Sequence, residues 1–210
     1  MKAVIFDLDG VICFTDKYHY QAWKALADRL GIYFDEQINN RLRGVSRMAS
    51  LDIILERSDK AYTQEEKDAF AAEKNARYVE LLQQMSPADL SDEVKETLND
   101  LRAAGYLLAI GSSSKNTKLI LSRLGLGDFF DAISDGTNIT HSKPHPEVFL
   151  MAADMLSLPP TECLVVEDAK SGIEAASAGG FKSAGIGEAA EHPDCTYPIT
   201  RFADLKTILL

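Results

Sequence analysis

Three short apolar runs, residues 3–6, 107–110 and 163–166, each stop abruptly at a cluster of polar groups. Runs of that length, rich in Val, Ile and Leu and lacking polar alternation, predict strands covered on both faces. Between and beyond the later runs, apolar residues recur at helical spacing: Val94, Leu98 and Leu101; Leu119, Ile120 and Leu124; Phe149, Leu150 and Ala153; Ile173 and Ala176. Strands alternating with helices imply an α/β fold, a doubly wound parallel sheet of Rossmann type. Weaker strands are expected near residues 130–133 and 183–186. A parallel sheet brings the carboxyl ends of its strands to one rim, where open α/β sheets bind ligands. The polar groups of this chain fall there. Asp7 and Asp9 follow the first run, Ser112 to Asn116 the second, Lys143-Pro144 the weak strand near 133, and Glu167-Asp168 the third.

The stretch from about 16 to 85 has a different texture, helical and free of strand signals. Trp23, Leu26, Ala27 and Leu30 mark one helix, with Asp16 as the expected N-cap and Gly31 past its end. A loop is expected at residues 42–47, before Leu51, Ile54 and Leu55 resume the pattern. Thr63 and Glu66 fit a capping box opening a helix that runs to about residue 84, and Ser86-Pro87 breaks it. The expected organisation is a catalytic core of residues 1–15 and 86–210, with a helical-bundle cap at 16–85 inserted into it.

Four carboxylates at the rim total −4, and one divalent cation with one lysine brings this to −1. Without such an ion the acids would repel one another and any phosphate. Hard oxygen donors without His or Cys select Mg²⁺ over Zn²⁺. A cluster of this make-up suits phosphoryl transfer, since cations neutralise the equatorial oxygens of the moving group. The Ser112–Ser114 hydroxyls and the start of the following helix would add donors to the same anion. The formal net charge of −10 argues against a nucleic-acid or anionic-membrane partner. Cys13, Cys163 and Cys195 form no metal pattern and suit a reducing compartment. The opening residues do not read as a signal peptide and no apolar run reaches membrane-spanning length, so a cytoplasmic protein is expected. His141, His145 and His192 read as surface loop residues, and Cys13 as a small buried hydrophobe.

Asp7-Leu8-Asp9-Gly10-Val11, Ser112 with Ser114, Lys143-Pro144 and Glu167-Asp168 resemble the four ordered motifs of the haloacid dehalogenase superfamily. The helical insert between the first two resembles that superfamily's mobile cap. Thr15, His19, Trp23, residues 42–47, Ser50, Lys74-Asn75 and residues 112–116 are most similar to the β-phosphoglucomutase family within it. The resemblance implies a Mg²⁺-dependent phosphosugar mutase that interconverts β-glucose 1-phosphate and glucose 6-phosphate. Its route is an aspartyl-phosphate enzyme, hence a phosphoprotein, and β-glucose 1,6-bisphosphate; a phosphatase of small phosphorylated metabolites is the alternative.

On that resemblance Asp7 is the nucleophile and Asp9 the general acid and base. Ser112 and Lys143 hold the transferring phosphoryl. One Mg²⁺ per chain is held by Asp7, Asp168, the backbone carbonyl of Asp9 and Glu167. Arg47 takes the distal phosphate, and His19 and Lys74 help to place Asp9 and the sugar. Thr15, Trp23, Gly44, Val45, Ser46, Ser50, Ser113, Ser114, Lys115 and Asn116 complete the expected substrate contacts. Trp23 reads more readily as a helix-face core residue than as a sugar platform. The partner is a small phosphosugar and the protein is expected to be a monomer. Two positions depart from the family pattern: Phe14 stands where Asp is usual, and Ala169 where Ser is commoner.

Overall fold

The structure is a computed structural model that describes residues 1–42 and 45–210. The chain divides into two units, Met1–Phe14 with Ser86–Leu210, and Thr15–Met85 between them.

The first unit is built on a parallel sheet. Its strands are β1 (Ala3–Phe6), β2 (Leu107–Gly111), β3 (Ala132–Ser134), β4 (Cys163–Glu167), β5 (Lys182–Gly185) and β6 (Tyr197–Pro198), ordered β3-β2-β1-β4-β5-β6. All pairings are parallel. β1 lies in the middle, with Phe6 opposite Ile110 of β2 and Val166 of β4. Its four residues are fully buried, as an apolar run without alternation requires. Ala3 and Ile5 join Ala109 and Val165 in a cluster with Phe149, Ala152, Ala175 and Ala176, which come from the helices Glu147–Met155 and Lys170–Ala178. On the opposite face the Phe6 ring packs against Phe130 and Phe202, at 6.3 and 5.7 Å between centroids. The two faces are therefore covered by different elements, and the strand order reverses direction at β1. Truncating Phe6 to Ala is expected to cost about 3–5 kcal/mol, read as a lower denaturant midpoint at constant slope.

The second unit holds the helices Asp16–Leu30, Glu36–Asn40, Arg47–Leu55 and Gln64–Leu82. Trp23, Leu26, Ala27, Phe34, Ile38, Leu51, Ile54 and Ala71 form its apolar core. The capping box is present: Thr63 Oγ1 accepts from Glu66 N, and Thr63 N donates to Glu66 Oε2. Three details differ from expectation or add to it. Thr15 occupies the N-cap position of the first helix and makes no side-chain cap bond there, so Asp16 is its first helical residue. The helix Glu36–Asn40, capped by Asp35 through Ile38 N, lies in the stretch expected to be helical but is not marked there by any periodic signal. Arg47 opens a helix instead of lying in a loop, because Ser46 caps it by accepting from Ala49 N at 3.2 Å. No helix among the described residues is long and apolar enough to cross a membrane.

Candidate active site

The parallel register sets the site. Asp7 leaves β1 one residue beyond the Phe6–Val166 pair and donates its backbone N–H to Val166 O at 2.9 Å. Ser112 leaves β2, and Glu167 ends β4. Lys143 reaches this rim from the segment after β3. Its ammonium donates to Asp7 Oδ1 and, at 2.5 Å, to Glu167 Oε1. All three side chains are buried. Asp7 and Glu167 therefore share one ammonium donor, which lies 136 positions from Asp7 and 24 from Glu167 in sequence.

Glu167 is engaged at both oxygens. Oε2 accepts from the backbone N–H groups of Asp168 and Ala169, each at 3.0 Å. Gly172 makes room for this carboxylate, since a Cβ there would lie 1.9 Å from the Glu167 carboxyl carbon. Gly172→Ala is expected to expel Glu167 from this position and cost about 1–3 kcal/mol, read in thermal unfolding, with loss of turnover. Normal turnover in Gly172→Ala would show that Glu167 need not hold Lys143. Gly10 plays a similar part for Asp168. Its φ of +89° suits glycine, and a Cβ would stand 2.0 Å from Asp168 Oδ2. The tight turn after Asp9 thus admits the second acid against the backbone of the first motif.

The cluster holds more negative charge than Lys143 cancels. Burial pushes the Asp7 carboxyl well up, against the pull of Lys143, and Glu167 and Asp168 push it further. Burial and then Glu167 raise Asp168 to about 7. Lys143 is held protonated by Asp7 and Glu167 despite its burial. Oxygen donors with raised carboxyl pKa values and one glycine-made cradle fit a hard divalent cation such as Mg²⁺. Asp7 and Asp168 could hold it with the Asp9 carbonyl, as could Glu167, whose oxygens here bond Lys143 and two backbone amides.

A pH dependence follows. A cation held by Asp168 would compete with protons there, so Mg²⁺ affinity measured by titration calorimetry is expected to tighten roughly tenfold between pH 6 and pH 8. A flat profile would remove Asp168 from the ligand set. In the metal-free protein the sign for stability is opposite. The folded chain keeps a proton that the unfolded chain releases near pH 4, so this group's contribution falls as pH rises from about 4 to about 7.

The Ser112 loop is ordered by its own hydroxyls. Ser112 Oγ accepts from Ser114 N and Ser114 Oγ from Asn116 N, each at 3.2 Å, so those two amides are already engaged. An accepting hydroxyl keeps its own proton, and buried Ser112 is thereby placed to donate. Ser113 Oγ is buried without a hydrogen-bond partner. Lys115 is exposed, and the helix Thr117–Arg123 follows Asn116. Asp9 is half-buried and its backbone bridges to Cys13. Burial, then Asp9 and Asp7, push the Cys13 thiol up, so it is no nucleophile.

Asp135, just past β3, is a buried acid that belongs to none of the four motifs. Its Oδ1 accepts from Thr137 N at 2.8 Å and from Thr137 Oγ1, while Oδ2 has no hydrogen-bond partner. It ties down the start of the segment leading to Lys143. The turn-forming run Ser134-Asp135-Gly136-Thr137-Asn138 was the available signal.

Within the helical unit, Lys74 is buried and its ammonium donates to His19 Nδ1 at 2.9 Å. It stands over the rings of Trp23 and Tyr78 at 4.6 and 4.5 Å from their centroids. Burial, then Lys74 and Arg47, hold the His19 imidazole well below its usual range, so it is neutral and Nδ1 accepts. Tyr78 donates to Thr15 Oγ1 at 3.0 Å. Trp23 is both a core residue and a partner of Lys74. Arg47 is half-buried, Ser50 buried and Val45 exposed. Gly44 lies outside the described residues.

Acids, hydroxyls and an ammonium thus meet at the carboxyl edge of the β3-β2-β1-β4-β5-β6 sheet. Residues 1–180 match the model of the haloacid dehalogenase-like hydrolase family, and the chain belongs to that family. Among its relatives, β-phosphoglucomutase of Bacillus subtilis is 39% identical, over 100% of this chain and 94% of that protein. Fructose-1-phosphate phosphatase YqaB of Escherichia coli is 34% identical, over 87% of this chain and 95% of that one. The crystal structure of β-phosphoglucomutase from Clostridium difficile superposes with a TM-score of 0.91 at 39% identity, covering 99% of this chain and 95% of that chain.

Proposed function

We propose that the protein is a phosphosugar mutase that interconverts β-glucose 1-phosphate and glucose 6-phosphate. The observation that carries this reading is the pair of bonds from Lys143 to Asp7 and Glu167 at the sheet rim. They hold one oxygen of Asp7 beside a buried cation and leave the other to attack phosphorus. The O–P bond to the departing sugar breaks as the Asp7–phosphoryl bond forms. Asp9 delivers a proton to the leaving sugar oxygen and later takes one from the incoming hydroxyl. Ser112 and Lys143 donate to the phosphoryl oxygens. Mg²⁺, when bound by Asp7 and Asp168, supplies charge neutralisation of the same oxygens.

The choice between a sugar and water as acceptor falls to the helical unit, which we assign the work of a cap that excludes water. Support for a mutase comes from that unit. Arg47 offers a forked donor for a second phosphate, and the buried Lys74–His19 pair a fixed polar contact. The similarity to β-phosphoglucomutase over the full chain adds weight. β-Glucose 1-phosphate with catalytic β-glucose 1,6-bisphosphate is expected to yield glucose 6-phosphate in Mg²⁺ and none in EDTA. Arg47→Ala is expected to lower mutase kcat/KM by about 10²-fold, with cleavage of a small aryl phosphate changed less than about threefold. Equal losses would show that Arg47 reads no distal phosphate.

A further inference from the structure

The segment that delivers Lys143 carries a second cluster, which phosphoryl transfer does not use. His141, His145 and Glu147 each bring one ligand atom to within 4.8 Å of the others. Glu147 Oε2 accepts from His141 Nδ1 at 2.8 Å and lies 3.9 Å from His145 Nδ1. The two imidazoles lie side by side, with centroids 4.5 Å apart and planes tilted by 33°. Both are exposed and open to a hydrated ion. Bond lengths of about 2.0–2.1 Å place neighbouring ligands of a tetrahedral ion roughly 3.3 Å apart, and the two observed separations bracket that value.

We propose that His141, His145 and Glu147 form a Zn²⁺ site distinct from the carboxylate cluster at the sheet rim. Imidazole nitrogens with one carboxylate select Zn²⁺ and its transition-metal neighbours over Mg²⁺. The carboxylate is already positioned: Glu147 Oε1 accepts from Thr140 N and Oε2 from His141 N, both at 2.8 Å. Two costs oppose binding. His141 Nδ1 must release Glu147, and His145 Nδ1 its bond from Glu147 N at 3.3 Å, unless each ring turns to present Nε2. Glu147 also opens the helix Glu147–Met155, whose positive end disfavours a cation. Three protein ligands leave the remaining positions to water. A bound ion would join positions 141 and 145 across Lys143-Pro144, fixing the loop that carries the catalytic lysine. The proposal does not depend on whether the acceptor is sugar or water.

The test is Zn²⁺ titration of the full chain in saturating Mg²⁺, which masks the rim carboxylates, followed by calorimetry and by thermal unfolding. The wild type is expected to bind one Zn²⁺ per chain and to unfold at higher temperature with it. His145→Ala is expected to weaken binding at least tenfold and His141→Ala/His145→Ala to abolish both effects. His145→Gln, which keeps a polar side chain of similar reach, serves as a second variant should the alanine variants unfold, and is expected to lose binding equally. Zn²⁺ affinity and stoichiometry unchanged in these variants, or a wild type that binds no more Zn²⁺ than they do, would overturn the assignment.

Discussion

Asp7→Asn is expected to lower turnover by about 10⁴-fold or more while leaving the fold at least as stable as the wild type. The loss in rate follows from removing the attacking oxygen, because an amide cannot carry the phosphoryl group. The stability result follows from the electrostatics. Burial and two neighbouring acids raise the Asp7 carboxyl, so its ionised form costs folding energy at neutral pH. Asparagine removes that charge, and Lys143 retains Glu167. Incubation with radiolabelled β-glucose 1,6-bisphosphate should leave label on the wild-type protein and none on Asp7→Asn. Persistent labelling of the variant would put the nucleophile elsewhere, and marked destabilisation would mean that the Asp7–Lys143 pair is a net structural gain.

Lys143→Ala is expected to fail in both respects. It removes the one ammonium between Asp7 and Glu167, both buried, and leaves two acids facing each other. Breaking a buried pair from one side costs about 3–5 kcal/mol. Loss of a positioned cation at the transferring phosphoryl costs a further ~10²–10³ in kcat. The two contributions separate by experiment. Glu167→Gln in the Lys143→Ala background should recover stability, because one of the opposed charges is gone, and should recover no activity. Unfolding in urea gives the first quantity and initial rates the second. A Lys143→Ala protein of wild-type stability would mean that water enters the rim and solvates both acids.

Much of this was legible from residue order alone. The strands β1, β2 and β4 were visible because each is an unbroken apolar run ending at a polar group, and parallel pairing then dictates which ends meet. The Thr63–Glu66 box was visible because its two hydrogen bonds depend only on local spacing. Other features depend on contacts that sequence distance hides. β3 begins at Ala132, because Phe129 and Phe130 are used from a loop, the first under the Arg102 guanidinium and the second edge-on to Phe6. Five residues are too few for a periodic signal in the helix Glu36–Asn40, and two are too few in β6. Glu167 gives its oxygens to Lys143 and two backbone amides, contacts that only the folding of the β4 turn over Gly172 reveals. Asp135 carries no motif; burial with one unbonded oxygen marks it.

In the proposed route the phosphoryl group on Asp7 would have two acceptors, and its partition between them tests the proposed function most directly. Labelled phosphoenzyme, freed of bisphosphate and mixed with excess unlabelled β-glucose 1-phosphate, yields two countable products, labelled β-glucose 1,6-bisphosphate and labelled inorganic phosphate. We expect the label to pass to sugar in large excess over water, with inorganic phosphate at no more than about one part in a hundred, because a cap that excludes water removes the competing nucleophile. Release of inorganic phosphate faster than transfer to sugar would contradict the mutase reading and make the protein a phosphatase.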